Sequence, residues 1–241
     1  TIRHWIAEGM DIITGVPYVF QLLLRGWNLS HEPRGRYFAG GEPLRTSLSV
    51  SWRDKTGVPL RQEYGLSEGG IVSFGVGNSP SDSIGTPISD VFISIEHTNE
   101  LIVYRQHAPA HYYFGENPST FGACGQVWTG DLGYYKDGYY YLTGRSKSVI
   151  IVAGMKVTPL EIESAICLYE GIEEAAVMSM PDNVTGERPV AVVSGIRASA
   201  VYDLKLFLMS QLETYKIPKT IITLPSLPRT LSGKVDRQAI K

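Results

Sequence analysis

An aromatic ring, a hydroxyl and a carboxylate occur close together at Tyr64, Ser67 and Glu68, in a segment rich in glycine. An aromatic ring can stack on a base, a hydroxyl can bind phosphate, and a carboxylate can hold Mg²⁺ beside phosphate groups. These residue types therefore suit a nucleotide. Taken alone the signal is weak, because a carboxylate in a glycine-rich loop is more often simply solvated.

Two further turns have compositions that suit the flat base and the ribose. One turn consists of Gly41, Glu42 and Pro43 and is preceded by another glycine. Because glycine has no side chain, the backbone there can approach a flat ligand closely. Asp131 stands between glycines in the string TGDLG, where its carboxylate can accept hydrogen bonds from both ribose hydroxyls. By themselves, both segments are more simply explained as ordinary glycine and aspartate turns.

Basic residues of possible catalytic value lie in the second half of the chain. Arg145 and Lys147 follow Gly144, and an arginine can fork onto phosphate or ribose oxygens, although surface charge is the simpler explanation. Lys234 lies in a Ser-Gly loop near the C-terminal end, where a lysine is usually solvated. The functional alternative is a mobile ammonium that is delivered to a developing negative charge.

The composition argues against several classes of protein. The 22 Lys and Arg residues against 24 Asp and Glu give a net charge of −2 without a basic run, which disfavours nucleic-acid binding. The longest apolar run, residues 16–24, is far shorter than the roughly 20 residues that span a bilayer. Cys124 and Cys167 lack metal-ligand spacing, and a proline interrupts the pair His107 and His111. We expect a soluble, cytoplasmic, mixed α/β protein.

The elements that must carry these groups begin with a helical pattern over the first thirty residues. Residues 35–45 predict a short strand that runs into a Gly-Gly turn, with a helix from Pro43. The five glycines of residues 62–77 predict a strand followed by an irregular, exposed loop. Tyr64, Ser67 and Glu68 would thus lie at the end of a strand.

Residues 84–145 predict a small antiparallel sheet or barrel, irregular over residues 103–128. The dipeptide Asp137-Gly138 between two tyrosine runs is a strong hairpin signal. Asp131 falls within this β-rich segment.

The pattern changes after Arg145 to an α+β order of about ninety-five residues, which is small for a domain but within the range. Thr158 suits an N-cap, Pro159 a first helical position and Glu161 the far side of a capping box. Strands at residues 174–180 and 189–195 and a helix at residues 201–214 follow. We therefore predict a domain boundary near Lys147.

The order and spacing of these groups are more specific than any one of them. The chain contains, in this order, YGLSE, TGDLGYYKDGYYYLTGR, VAGMKVTPLEIE and LPRTLSGKVDR. It thereby resembles the adenylate-forming superfamily of acyl-CoA synthetases, peptide-synthetase adenylation domains and luciferases. The resemblance covers nearly the whole chain. It implies that residues 1–146 are the C-terminal part of a large adenylate-forming domain, with a β-rich subdomain from about residue 84, and that residues 147–241 are a small α+β lid domain.

The resemblance implies an activity as well. Such enzymes use ATP and Mg²⁺ to convert a small carboxylic acid into an acyl-adenylate, and a thiol of coenzyme A or of a phosphopantetheine carrier protein then displaces AMP. By analogy, Gly41-Glu42-Pro43 lies against the adenine and Tyr64 stacks on it. Ser67, where the family usually has threonine, contacts the α-phosphate, and Glu68 associates with Mg²⁺.

The remaining roles follow from the later motifs. Asp131 matches the aspartate that binds the ribose, and Arg145 matches the arginine that follows it in the nucleotide site. Lys147 falls at the hinge between the two domains, and Gly154 in the loop that lines the pantetheine path. Lys234 matches the catalytic lysine of adenylation. Since Lys234 and Gly154 serve different steps, a rotation of the lid domain between the steps is implied.

One family feature does not occur in these residues. The resemblance would place a Gly/Ser/Thr-rich phosphate loop that ends in Pro-Lys-Gly upstream, and no such string is present. The usual GEL-type turn also reads Asn99-Glu100-Leu101. We therefore expect the C-terminal half of a ligase, either a fragment of a longer chain or one half of an enzyme completed by a separate N-terminal half. The alternative is a non-catalytic relative that binds an adenine nucleotide or a partner.

Overall fold

A computed structural model describes residues 8–26, 33–106, 120–122 and 125–240. The chain divides into two compact units, Thr1–Leu142 and Thr143–Lys241. The predicted hinge residue, Lys147, belongs to the second unit. Within the described ranges, no helix is both long enough and apolar enough to cross a membrane.

The first unit begins with alternating strands and helices. These elements are β1 (Ile12–Gly15), α1 (Pro17–Arg25), β2 (Arg36–Ala39), α2 (Thr46–Thr56), β3 (Leu60–Leu66), β4 (Gly70–Phe74) and β5 (Thr86–Pro87). The strands form one sheet in the order β1-β2-β3-β4-β5, parallel from β1 to β3 and antiparallel beyond. The last residue of β3, Leu66, pairs with the first residue of β4, Gly70, whereas Tyr64 pairs with Ser73.

Apolar residues on one side of each helix hold this part together. Phe20 and Leu23 are buried on α1, three residues apart, so they share a face of the helix. The ring of Phe20 meets Trp52 of α2 edge-on at 5.1 Å, and Trp52 is fully buried. Pro17 at the start of α1 agrees with its fixed φ, which suits a first turn.

Three sequence expectations for this region are corrected. Residues 12–15 are a strand although they lie within the thirty residues predicted to be helical, because they pair with residues 36–39 of β2. The second helix begins at Thr46 and not at Pro43. The segment after Tyr64 is a tight hairpin between β3 and β4 and not an irregular loop, because Gly65 lets the two strands approach closely and Gly70 adopts a positive φ.

A second sheet confirms the β-rich segment. It consists of β6 (Val91–Ile95), β7 (Glu100–Arg105), β8 (Gln126–Lys136) and β9 (Tyr139–Arg145) in that order. Asp137 and Gly138 join the last two strands with φ of 50° and 91°, as in a two-residue hairpin turn with positive φ at both positions. Residues 107–119, half of the segment predicted to be irregular, lie outside the described residues, but residues 103–105 and 126–128 belong to β7 and β8 and are not irregular.

The second unit has the predicted α+β composition. Its elements are β10 (Ile150–Val152), β11 (Met155–Val157), α3 (Pro159–Ile166), β12 (Glu174–Asp182), β13 (Gly186–Ser194), α4 (Val201–Gln211), β14 (Thr220–Thr223) and α5 (Arg237–Ile240). β13 pairs antiparallel with β12 and β10, and parallel with β14. Ile162 and Ile166 of α3 and Leu204 and Leu208 of α4 are buried in a common core with the sheet.

The predicted capping box at the start of α3 is wrong. Thr158 and Pro159 occupy the N-cap and first helical positions, but Thr158 makes no side-chain capping bond. The carboxylate of Glu161 instead binds the Lys216 ammonium at 2.6 Å, and Glu213 binds it at 2.9 Å. A bond between two charged groups is stronger than one to a neutral N–H. Burial lowers the pKa of Lys216, but the two carboxylates outweigh it and raise the pKa above its usual value.

Candidate functional site

The structure brings Tyr64 and Asp131 together although they are 67 residues apart. Tyr64 lies near the end of β3 and is 7% exposed, and Asp131 lies on β8 of the second sheet. The Tyr64 hydroxyl donates to Asp131 Oδ2 at 2.8 Å. A carboxylate can accept several hydrogen bonds, so a ligand hydroxyl can bind Asp131 in addition to the tyrosine.

Three hydrogen bonds fix the backbone around Asp131. The Asp131 N–H donates to Thr129 Oγ1 at 3.0 Å, and the Thr129 hydroxyl donates to the Leu101 carbonyl at 2.7 Å. The Gly130 N–H donates to Glu100 Oε1 at 2.9 Å. The pairing register shifts here between Glu100 and Ile102, so Asp131 projects from an irregular place in the ladder. Sequence reasoning noted Glu100 only as part of a turn and missed this contact.

The side chain of Gln62 holds the turn at residues 41–43 through hydrogen bonds to its backbone. Sequence reasoning also missed this residue. Gln62 is buried on β3, two residues before Tyr64 and on the same face of the strand. Its Nε2 donates to the carbonyls of Ala39 and Glu42 at 3.1 Å each, and its Oε1 accepts from the Leu44 N–H. One side chain therefore links the predicted adenine turn to the strand that carries the predicted adenine-stacking tyrosine.

Replacing Gln62 with leucine should destabilise the protein by about 1–3 kcal/mol, because the Leu44 N–H and the carbonyls of Ala39 and Glu42 lose a buried partner. Chemical denaturation measures the loss. The control is Gln211→Leu, since Gln211 is exposed and its side chain donates to the exposed Ser210 hydroxyl, so its effect should stay within about 0.5 kcal/mol. Equal effects of the two substitutions would contradict the role given to Gln62.

Ser67 and Glu68 form the tip of the hairpin between β3 and β4. Ser67 is exposed and Glu68 is half-buried, a few residues after Tyr64 in the chain. The Gly69 N–H donates to the Leu66 carbonyl at 3.2 Å and closes the turn. A Cβ on Gly65 would lie 2.8 Å from the Gly70 carbonyl oxygen, so the two strands meet here only because Gly65 lacks a side chain.

The resemblance implies that Mg²⁺ binds at this hairpin tip, through Glu68. Among the described residues, no group of three or more His, Cys, Asp or Glu side chains is arranged to hold a metal ion. Mg²⁺ commonly binds through one or two carboxylates plus substrate phosphates and waters. The single carboxylate of Glu68 fits that mode, in which most ligands come with the nucleotide.

The other predicted residues belong to the second unit. Arg145 ends β9 and is exposed, and Lys147 is exposed in a short 3₁₀ turn, Ser146–Ser148. A Cβ on Gly144 would lie 3.0 Å from the Thr158 Cβ, so glycine permits this close approach. The meeting of Arg145 with Tyr64 and Asp131 at one nucleotide stays a prediction.

Gly154 forms the turn of the β10–β11 hairpin together with Ala153, at φ of 83° and 48°. Glu187 anchors this hairpin, because its carboxylate accepts from the Ile151 N–H and from the Ser179 hydroxyl, each at 2.7 Å. The Ala153 N–H also donates to the Thr185 carbonyl at 2.9 Å. The predicted pantetheine-lining turn is thus attached to the long hairpin of β12 and β13.

These two bonds lower the pKa of Glu187 below its usual value, first through Ile151 and then through Ser179. Because the folded pKa is below the unfolded one, the stabilisation is present above the unfolded pKa and is lost as the pH falls through the folded pKa. We expect Glu187→Ala to cost about 0.5–1.5 kcal/mol at pH 7, since solvent reaches this carboxylate, and less as the pH falls below 4.5 towards the folded pKa. Denaturant titrations over pH 7 to 3 measure it, with the exposed Glu170→Ala as control; a pH-independent difference would contradict the assignment.

Lys234 lies in a tight turn that is fastened to the second unit. The Thr230 N–H donates to the Lys234 carbonyl and the Gly233 N–H to the Thr230 carbonyl, each at 2.9 Å. Arg229 forms an ion pair with Glu174, which has a side-chain exposure of 6%, and donates to the Gly233 carbonyl at 3.0 Å. The Lys234 backbone is therefore held while its side chain is exposed.

A second ion pair fastens the other end of this turn. Arg237 Nη2 lies 2.7 Å from Glu163 Oε1 on α3, and Arg237 Nη1 donates to the Val177 carbonyl of β12 at 2.8 Å. The two ends of the turn are thus tied to α3 and β12, so the segment is more than a solvated tail. The arginines on either side of the Ser-Gly-Lys string were the available signal for this arrangement.

Known proteins are similar to this chain in both sequence and fold. The family model for the AMP-binding enzyme C-terminal domain matches residues 161–234. A long-chain-fatty-acid–CoA ligase from Bacillus subtilis is 30% identical over 95% of this chain and 45% of its own length. A 2-succinylbenzoate–CoA ligase from Listeria monocytogenes is 29% identical over 96% of this chain and 51% of its own length.

Solved structures give the same result. ATP-bound MatB from Rhodopseudomonas palustris matches with a TM-score of 0.88 at 26% identity, over 99% of this chain and 52% of that one. The o-succinylbenzoate CoA synthetase from Bacillus subtilis, in complex with its acyl-adenylate intermediate, matches with a TM-score of 0.82 at 27% identity, over 100% of this chain and 53% of that one. The chain spans about half the length of these relatives. It belongs to the adenylate-forming, AMP-binding superfamily.

Proposed function

We propose that this chain is the C-terminal half of an ATP-dependent acid–thiol ligase. The complete enzyme joins a carboxylic acid to AMP and then transfers the acyl group to the thiol of coenzyme A or of a pantetheine carrier protein. The relatives named as CoA ligases support this activity. The N-terminal half, whether in the same polypeptide or in a separate one, supplies the phosphate loop that these residues lack. ATP and coenzyme A both occur in the cytoplasm, where we place the reaction.

The observation that carries the proposal is the bond between Tyr64 and Asp131. It sets an aromatic ring beside a carboxylate that can accept several hydrogen bonds, and both residues lie next to glycines. In this assignment Asp131 accepts from the ribose hydroxyls, Tyr64 contacts the adenine together with the turn at residues 41–43, and Ser67 contacts the α-phosphate. Arg145 adds a second ribose or phosphate contact from the second unit.

The adenylation step requires stabilisation of negative charge. A substrate carboxylate attacks the α-phosphorus of ATP, the bond to the leaving pyrophosphate breaks, and charge grows on the phosphoryl oxygens. The ammonium of Lys234 bridges the carboxylate and these oxygens, and this interaction is stronger in the transition state than in the ground state. Glu68 would hold Mg²⁺, which neutralises phosphate charge when it is bound.

The second step requires a different surface of the lid domain. The thiol attacks the acyl carbonyl, AMP leaves, and the turn with Gly154 lines the path of the pantetheine arm. The lid domain rotates about the hinge at Lys147 between the two steps. Lys234 thereby leaves the reacting atoms and the turn with Gly154 takes its place. The exposed 3₁₀ turn at Ser146–Ser148 supports this location of the hinge, because little packing opposes its rotation.

ATP–pyrophosphate exchange tests the proposal. The chain is assayed alone and joined to the N-terminal half of its polypeptide or partner, with a panel of acids that includes a long-chain fatty acid and 2-succinylbenzoate. We expect exchange with at least one acid in the joined form only. Binding of AMP without exchange for any acid would favour the alternative, a nucleotide-binding module, which the missing phosphate loop supports.

The chain alone should bind AMP at least as tightly as ATP. The groups assigned to adenine, ribose and α-phosphate are present, whereas a grip on the outer phosphates is not found in these residues. Isothermal titration calorimetry with AMP, ATP and adenosine measures the three affinities. ATP that binds about tenfold more tightly than AMP, a difference of about 1.4 kcal/mol, would show that the phosphate contacts are wrongly assigned.

A further inference from the structure

Arg105, the last residue of β7, reaches from the second sheet to the hairpin that carries Ser67 and Glu68. Its Nη1 donates to the Gly69 carbonyl, and its Nη2 donates to the Ile71 carbonyl at 2.6 Å. The side chain is 18% exposed, so most of it is covered. One guanidinium thus binds the carbonyl groups on both sides of Gly70.

The third nitrogen of the same group has an ionic partner. Arg105 Nε lies 3.3 Å from Asp90 Oδ2, next to the start of β6. Arg105 also pairs in register with Val91, so its backbone belongs to the β6–β7 ladder. This contact is an ion pair without a hydrogen bond from Nε, so the directed bonds are those of the two terminal nitrogens. The planar fork of arginine can bind two carbonyls at once, whereas a lysine offers one point charge on a flexible stem.

The glycine between the two carbonyls is matched to this arginine. Gly70 has a φ of +65°, and a Cβ there would lie 2.9 Å from Arg105 Nη1. A side chain at this position would displace the guanidinium and would strain the backbone. The sequence separation between Gly69 and Arg105 is 36 residues, so no local signal links them.

We propose that Arg105 is a positioning residue for Glu68, an inference that rests on the proposed function. The hairpin tip is closed on one side by the Gly69 N–H bond to Leu66 and is held on the other by Arg105. Arg105 fixes the backbone next to Glu68 in the folded protein before any ligand binds. The carboxylate therefore loses less conformational entropy when it binds Mg²⁺ and nucleotide. Arg105 itself need not touch substrate.

Hydrogen exchange of residues 66–71 tests the clamp without any assay of activity. In Arg105→Met the amides of this segment should exchange about tenfold faster than in the wild type, and Arg105→Lys should fall between. The matched control is Arg61→Met, because Arg61 also donates to a loop carbonyl, that of Gly77 at 2.8 Å, but not to this hairpin. Gly70→Ala should also speed the exchange of this segment, because the added methyl group displaces the guanidinium and strains the backbone at φ +65°.

The consequence for Glu68 is measured in the joined enzyme. The Mg²⁺ concentration for half-maximal ATP–pyrophosphate exchange should rise about tenfold in Arg105→Met, be partly restored in Arg105→Lys and be unchanged in Arg61→Met. A purely structural role would lower the amount of active enzyme and leave this concentration unchanged. The proposal is overturned if Arg105→Met leaves the hydrogen exchange of residues 66–71 unchanged. It is also overturned if hydrogen exchange becomes faster but the Mg²⁺ requirement of ATP–pyrophosphate exchange does not change. A wild type that is inactive with every acid instead contradicts the proposed function, and the hydrogen-exchange result alone then decides the clamp.

Discussion

Lys234→Ala should lower acyl-adenylate formation in the joined enzyme by about 10²–10³, the usual loss when one preorganised donor to a developing charge is removed. The ion pairs of Arg229 and Arg237 hold the backbone of the Lys234 turn in place, so the substitution removes the ammonium without releasing the turn. ATP–pyrophosphate exchange measures the effect. Lys219→Ala, an exposed lysine of the same unit, is the control and should leave the rate unchanged.

The second half-reaction separates this role from a general loss of structure. Thioester formation from pre-made acyl-adenylate should survive in Lys234→Ala, since the proposed role of the lysine is confined to adenylate formation and ends before the thiol displaces AMP. Lys147→Pro should do the reverse, because a fixed φ at the hinge hinders the rotation that brings Gly154 to the reacting atoms. Equal slowing of both steps by Lys234→Ala would refute this division of roles.

Asp131→Asn should weaken AMP binding by about 10- to 150-fold, corresponding to the 1.5–3 kcal/mol of hydrogen bonds to a charged group. The amide can accept fewer hydrogen bonds than the carboxylate and carries no charge. Tyr64→Phe is the matched comparison: it keeps the ring and loses the 2.8 Å bond to Asp131, so its effect should be smaller. Calorimetric titration of AMP measures both variants.

A nucleotide without ribose hydroxyls identifies the atoms concerned. The wild type should bind 2′,3′-dideoxy-AMP more weakly than AMP by a factor similar to that of Asp131→Asn, and the variant should no longer distinguish the two nucleotides. If Asp131→Asn still prefers AMP as strongly as the wild type does, Asp131 is not the ribose acceptor, and its bond to Tyr64 is structural.

Local features of the sequence were sufficient for several elements. The apolar spacing in the first thirty residues predicted helix, which the structure forms at Pro17–Arg25, and Asp137-Gly138 predicted the turn between β8 and β9. Both depend on φ preferences and on periodicity within a few residues, which act regardless of the rest of the chain. The order of the four motifs was enough to indicate the superfamily, because each motif is a continuous string.

The sequence was misleading where a local pattern competes with a distant partner. Residues 12–15 lie among apolar residues of helical spacing, yet they form an edge strand because β2 offers a parallel ladder. Glu161 has the spacing of a capping box, but Lys216, 55 residues away, offers it a charged partner. In both cases tertiary contacts outweigh a local preference of a few tenths to about one kcal/mol.

The sequence by itself determined which residue types are available for the proposed site and their order along the chain: an aromatic ring, a carboxylate between glycines, and a lysine between two arginines. The tertiary structure alone decided how those residues are held. The bond from Tyr64 to Asp131, the support of residues 41–43 by Gln62 and the grip of Arg105 on the Glu68 hairpin each join segments 18 or more residues apart. Such pairs depend on sheet order and register, which buried surface and backbone hydrogen bonds of the whole unit fix together, so no single segment encodes them.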